Sequence, residues 1–209
     1  LYEFEFARHK AKLLSNRTGI NSGAAYHPDN HKLVLTMSFL GNPEIFVLNP
    51  GSQQVTRVTS SLGVDVDPSY SPDGKKLAFV SSRSSQAMVY LSNADGSNVE
   101  RITFAGQYNA TPRWHPSGSK LVFAGYLEKH FDLFLINSDK TGLERLTKNE
   151  GSNEDPDFSP DGNFITFSST RSGQKNVYVV SLDGLYTRRL TFGLGACVAP
   201  RWSPYEQNL

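Results

Sequence analysis

Cysteine is almost missing from this chain: Cys197 stands alone among 209 residues, which excludes an intrachain disulfide framework and any multi-cysteine zinc site. An excess of charge of one sign is missing as well. Twenty-one Lys and Arg against 20 Asp and Glu leave a net charge of +1, so nothing electrostatic points to nucleic acid or membrane lipid. Apolar runs extend only a few residues, too few for a transmembrane helix, so direct membrane insertion is not expected. Leu1-Tyr2-Glu3-Phe4 carries neither a basic nor an apolar leader region, and a targeting signal is expected to lie outside the chain. Gly-x-Ser-x-Gly, His-Glu-x-x-His, Cys-x-x-Cys and Gly-Lys-Ser/Thr runs do not occur. Long amphipathic helical periodicity is also lacking.

What the chain has instead is a repeat. An aromatic residue, then Ser or His, then Pro recurs as Tyr26-His27-Pro28, Tyr70-Ser71-Pro72, Trp114-His115-Pro116, Phe158-Ser159-Pro160 and Trp202-Ser203-Pro204, always 44 residues apart. Arg57-Val58-Thr59, Arg101-Ile102-Thr103, Arg145-Leu146-Thr147 and Arg189-Leu190-Thr191 keep the same step, as do Tyr2, Phe46, Tyr90, Phe134 and Tyr178. Three markers in one register, with no insertion or deletion, identify a repeat architecture.

Each unit reads as four short strands. In the second, Asp67 to Ser71 forms a strand ending at the turn Ser71-Pro72-Asp73-Gly74. Leu77 to Val80, Met88 to Ser92 and Val99 to Thr103 follow as strands. Alternation puts Leu77 and Phe79 on one face, and Leu33/Leu35, Leu121/Phe123 and Ile165/Phe167 repeat that pair as an inter-unit packing face. Solenoids of helices fail on periodicity, and a sandwich has no reason to keep a strict spacing. The expected fold is all-β, a β-propeller of four-stranded blades. Residues 1–22 are expected to form a partial blade and linker, 23–66, 67–110, 111–154 and 155–198 full repeats, and 199–209 a closing strand. The opening strands correspond to the third and fourth of a blade, so an N-terminally shortened piece of a longer protein is expected.

The unit Pro-x-aromatic-Ser-Pro-Asp-Gly-x-x-Leu-x-Phe, with its matching stretches at Asp67 to Gly74 and Asp155 to Gly162, resembles the repeat of the TolB family, periplasmic propellers of the Tol-Pal system. Ser15-Asn16-Arg17-Thr18 resembles that family's linker between blades, and Ala199 to Tyr205 its ending. The resemblance implies a six-bladed ring, an α/β domain outside this chain, a periplasmic location and a non-enzymatic role without cofactor or metal. It also implies binding to the peptidoglycan-associated lipoprotein Pal and to other Tol proteins, in support of outer-membrane integrity and cell division. Related repeats form the propellers of prolyl oligopeptidase-like and tricorn-like peptidases, so a gating propeller is the alternative.

Carried over by register, the partner-binding positions at the channel mouth are those before the first proline of each repeat. These are Asp65, Val66 and Asp67, then Asn109, Ala110 and Thr111, then Asn153, Glu154 and Asp155. The first repeat departs, with Ala24 in place of proline. The residues point to the same end independently, because its linkers are the least repeated segments of a regular array, and loops free of packing constraints carry function. Tyr108 is the candidate aromatic anchor. Asp67, Glu154 and Asp155 either pair with basic partner groups or cap turns in solvent. Asp67 and Asp155, recurring in register, come nearest to an oxygen-lined cation site, but no metal is assigned. His27 and His115 occupy the slot of Ser71 and Ser159 and are read as turn residues.

Overall fold

The computed structural model describes residues 1–148 and 150–203, and there the alternating apolar residues pair as antiparallel strands in chain order. Strands β1 (Tyr2–Glu5) and β2 (Lys10–Leu13) form a two-stranded sheet. The first complete blade holds β3 (Asn21–Tyr26), β4 (Leu33–Met37), β5 (Glu44–Leu48) and β6 (Val55–Arg57). The second holds β7 (Asp65–Tyr70), β8 (Lys76–Ser81), β9 (Met88–Asn93) and β10 (Glu100–Arg101). Strands β11 (Tyr108–Trp114), β12 (Lys120–Leu127), β13 (His130–Asn137) and β14 (Glu144–Arg145) make the third. The fourth consists of β15 (Asn153–Phe158), β16 (Phe164–Ser169), β17 (Asn176–Ser181) and β18 (Thr187–Arg189). Among the described residues no helix is long and apolar enough to cross a membrane. The architecture is a β-propeller.

The core lies between blades, not within them. Leu77 and Phe79 of β8 pack backward on Val34 and Ile45 of the first blade, whereas Ala78 packs forward with Trp114, Leu121 and Phe123 of the third. Leu121 and Phe123 repeat the backward face, and Val122 goes forward to Phe158, Ile165 and Phe167. Both faces of each central strand are therefore apolar and buried, at about 25 cal/mol for each Å² removed from water. The hairpins lock in the same direction. His27 stands edge-on to Tyr70 with ring centroids 4.8 Å apart, and its Nε2 would lie 2.2 Å from a Cβ added at Gly74. His115 repeats this against Phe158, at 5.1 Å, and Gly162. The two histidines are wedges between blades.

The first strands line an open axial space of about 540 Å³, with Ala25, Ser69, Arg113, Asp157 and Arg201 at equivalent positions along it. Residues 199–203, expected as part of a closing strand, carry no strand ladder; Ala199 N donates to Ser168 Oγ and Trp202 N to Asp157 Oδ2, both at 2.9 Å. The rest of that expected strand, 204–209, lies outside the described residues.

A polar latch accompanies each apolar interface, and it explains the Arg-x-Thr repeat. Thr147 Oγ1 accepts from Leu133 N and donates to Asp132 Oδ1, each at 2.9 Å, while Asn153 of the next blade donates to the same oxygen at 3.0 Å. Arg145 donates to Asp132 Oδ2 at 2.6 Å, so this fully buried carboxylate is held by two blades at once. Thr59 bonds Glu44 at 2.6 Å and Ile45 N at 2.9 Å in the same way. Thr103 has the same amide partner, Val89 N at 2.9 Å, but faces the thioether of Met88 at 3.7 Å. Thr147→Val therefore strips a donor from a buried charge and is expected to cost about 2–3 kcal/mol, against about 1–2 kcal/mol for Thr103→Val. Urea unfolding of the two variants measures the difference, and equal losses would contradict the latch.

Candidate functional site

In an up-and-down sheet the connections alternate between the two ends. The linkers between blades and the loops joining second to third strands share one end, where they bond to each other. Ile20 N donates to Ser38 Oγ, Val64 N to Ser82 Oγ and Ser152 N to Thr170 Oγ1, all at 2.8 Å. This end carries the residues expected at the channel mouth.

The structure separates those residues into three groups. Asp65, Asn109 and Asn153 are buried, and all three segments expected as rim loops are the opening residues of β7, β11 and β15. Their side chains serve the fold. Asp65 is bound by Arg83 at 2.9 Å, Asn109 donates to Thr103 Oγ1 at 2.9 Å, and Asn153 bridges Asp132 and Arg171. Burial pushes the Asp65 carboxyl above its ordinary range, against the Ser81 and Arg83 interactions that pull it down. These three side chains are thus not presented at a surface: Asn109 and Asn153 complete the latch of the preceding blade, and Asp65 pairs with Arg83 of its own.

The second group turns toward the axis. Asp67, Thr111, Asp155 and Ala199 all have left-handed backbone, with φ of 53°, 47°, 54° and 52°, and Gly23 takes the same place at 62°. Gly23, Asp67, Thr111 and Asp155 each sit where the first strand slips register against its neighbour, at Ser22/Ala25, Val66/Ser69, Ala110/Arg113 and Glu154/Asp157. These are bulges with an extra residue in the first strand; a proline follows in three of the blades, and the first blade keeps the slip with Ala24 in its place. Asp155 accepts from Ser168 Oγ at 3.2 Å, and Asp67 N donates to Thr36 Oγ1 at 3.2 Å. Thr111 Oγ1 is buried and has no hydrogen-bond partner among the described residues. Beside these bulges stand Arg113, Asp157 and Arg201. Arg113 and Arg201 each donate Nη1 to the carbonyl of the proline before them, at 2.8 Å. Burial pushes Asp67 and Asp157 up, opposed for both by the Arg113 and Arg201 charges, and burial together with Arg201 holds Arg113 down to about 10.

The third group is on the surface. Tyr108 is 43% exposed and lies edge-on to Phe131 at 5.8 Å. Val66 and Ala110 are half-buried. Glu154, also half-buried, is met by Lys175 Nζ at 3.0 Å and Ser152 Oγ at 2.9 Å, so its charge is largely answered within the chain. Sequence reasoning missed exposed apolar residues of this end: Leu62, Phe104 and Phe192, at 107%, 69% and 66% exposure. A signal existed for two of them. Phe104 and Phe192 each follow directly on an Arg-x-Thr motif, and Arg101 and Arg189 lie 4.9 Å from their ring centroids.

A family model described as the TolB beta propeller domain matches residues 1–132 and 108–209. The chain belongs to this family. TolB from Acinetobacter baumannii is 25% identical with a TM-score of 0.88, over 97% of this chain and 51% of that one. The chain thus spans about half the length of that relative. The structure of a putative TolB from Agrobacterium tumefaciens gives 24% identity and the same TM-score of 0.88, over 96% of this chain and 72% of that one. A structure of prolyl endopeptidases shares the fold alone, with a TM-score of 0.60 and 14% identity, over 84% of this chain and 30% of that one. No curated protein sequence matches.

Asp157 offers a test of the axial electrostatics. Its folded pKa is raised, so its contribution to stability is fully present below the unfolded value of about 4 and is lost as pH rises through the folded value. The stability difference between the natural chain and Asp157→Asn is therefore expected to shift in favour of the natural chain as pH falls from 7 toward about 4. Denaturant titrations across that range measure it; an unchanged or opposite difference would show that burial does not govern this carboxyl.

Proposed function

We propose that this chain is a non-catalytic, protein-binding propeller of the periplasm that uses the linker end to bind the peptidoglycan-associated lipoprotein Pal. In this role it supports outer-membrane integrity and cell division. Membership of the TolB propeller family supports the class. The single observation that carries the reading to this end is the gathering of exposed apolar and aromatic side chains there, Phe104 and Tyr108 foremost. Exposed aromatics on a rigid frame bury large area at little entropic cost and dominate protein interfaces.

The axial carboxylates Asp67 and Asp155 belong to the same opening, alongside Val66, Ala110, Thr111 and Glu154. Asp65, Asn109 and Asn153 act beneath it, fixing where the exposed residues stand.

Binding to purified Pal by calorimetry tests the reading. Tyr108→Ala and Phe104→Ala are each expected to weaken it about tenfold or more, the range of an interface anchor. Glu154→Lys is expected to act less, since Lys175 already answers that charge. Unchanged affinity in both aromatic variants would move the interface to another face, and no binding by the natural chain would refute the partner.

A further inference from the structure

Blade three departs from its siblings at one position on the linker end. In the second blade the Arg83 guanidinium lies 5.5 Å from the Phe79 ring centroid and 5.1 Å from that of Tyr90. Its Nε donates to Ser81 Oγ at 2.8 Å and its Nη2 to Asp65 Oδ2 at 2.9 Å. The fourth blade repeats the arrangement: Arg171 lies 5.1 Å from Phe167 and 4.8 Å from Tyr178, donating to Ser169 Oγ at 3.0 Å and Asn153 Oδ1 at 3.1 Å. The first blade fills the same place with Phe39, whose ring is 5.1 Å from that of Phe46. The third has Gly125 and Leu127 where blades two and four have serine and arginine.

The cause is local. In blade three the second strand runs on to Leu127 and turns tightly through Glu128 and Lys129, both with left-handed backbone, at φ of 54° and 74°. The site stays empty of side chain. It is a small cleft of about 40 Å³, lined among others by Asn109, Phe123, Gly125, Leu127 and Phe134. The ring pair that an arginine would cover is in place, Phe123 and Phe134 being stacked at 5.6 Å and 17°. So is the acceptor. Asn109 is 1% exposed and its Nδ2 is committed to Thr103 Oγ1 and Ala105 O. Its Oδ1 accepts no hydrogen bond from the described residues, and it lies 3.1 Å from where a Cβ on Gly125 would stand, so it faces the cleft. In blade four the outer side of the site is closed by Glu150, 2.6 Å from Arg171; the residue in register with Glu150 here is Gly106, which also lines the cleft.

From this we infer that the cleft between blades two and three receives the guanidinium of an arginine side chain from a protein partner. The partner's arginine takes the place that Arg83 and Arg171 take in their own blades. The π-faces of Phe123 and Phe134 attract a cation, a planar guanidinium matches a ring in shape, and its N–H groups reach the waiting carboxamide oxygen. Lysine has no plane to stack, and leucine leaves Asn109 Oδ1 unpaired. The inference rests on the reading that this end meets a protein, but its test does not need that partner.

The natural chain, isotopically labelled, is titrated with N-acetyl-arginine N-methylamide and with its lysine and leucine counterparts, following the Gly125 amide and Leu127 methyl resonances. The arginine probe is expected to give saturable shifts at millimolar concentration, with lysine and leucine at least tenfold weaker. Equal or stronger binding of either counterpart, or no saturable shift with arginine, overturns the inference. Leu127→Arg rebuilds the arrangement of the sibling blades and is expected to abolish the arginine-induced shift at Gly125; an unaltered titration also overturns it. If the probe binds and Pal does not, the cleft stands and the partner is wrong. If Pal binds and the probe does not, the reverse holds.

Discussion

A sheet with two apolar faces cannot stand alone in water, and every other feature of this propeller follows from that constraint. Leu77 and Phe79 point one way from β8 and Ala78 the other, so each blade needs a neighbour on both sides. Hydrophobic burial alone would let blades slide, because apolar contacts are non-directional. The threonine latches remove that freedom. Thr147, Asp132, Arg145 and Asn153 meet at one point contributed by two blades, and bonds of 2.6–3.0 Å within a buried site tolerate little displacement.

The fold was legible because its cause is periodic. A 44-residue step without insertions places the same apolar pair, turn and Arg-x-Thr run in every unit, and period-two alternation assigns the faces. The latch was only half legible. That Arg-x-Thr recurs was plain, but its partners Asp132 and Asn153 lie in a different strand and a different blade. For the same reason Asp65, Asn109 and Asn153 read as rim residues: in a variable linker, Asn and Asp look like turn formers. Their burial depends on a carboxylate or threonine of the preceding unit, which no local pattern announces. Phe104 and Phe192 were hidden in the opposite way, being adjacent to a motif whose own residues point inward.

Periodicity also makes exceptions informative. When Arg83, Arg171 and Phe39 occupy one place in three blades, the difference at Leu127 is measured against three internal references in the same chain. The substitution of glycine at position 125 is coordinated with it, since a Cβ there would meet the Phe134 ring at 2.8 Å. Blade three has redistributed its aromatic packing around the change: Phe131 contacts both Tyr108 and Tyr126, with ring centroids 5.8 Å and 5.2 Å away. The exposed tyrosine of this end is thereby held by a neighbour that the other blades lack.

The left-handed residues ahead of each proline carry a different consequence. Because Asp67, Thr111, Asp155 and Ala199 share one backbone shape with three kinds of side chain, the local backbone does not depend on which residue fills the place. Chemistry at that place is consequently free to drift: acid, hydroxyl and methyl already alternate there on the same left-handed backbone.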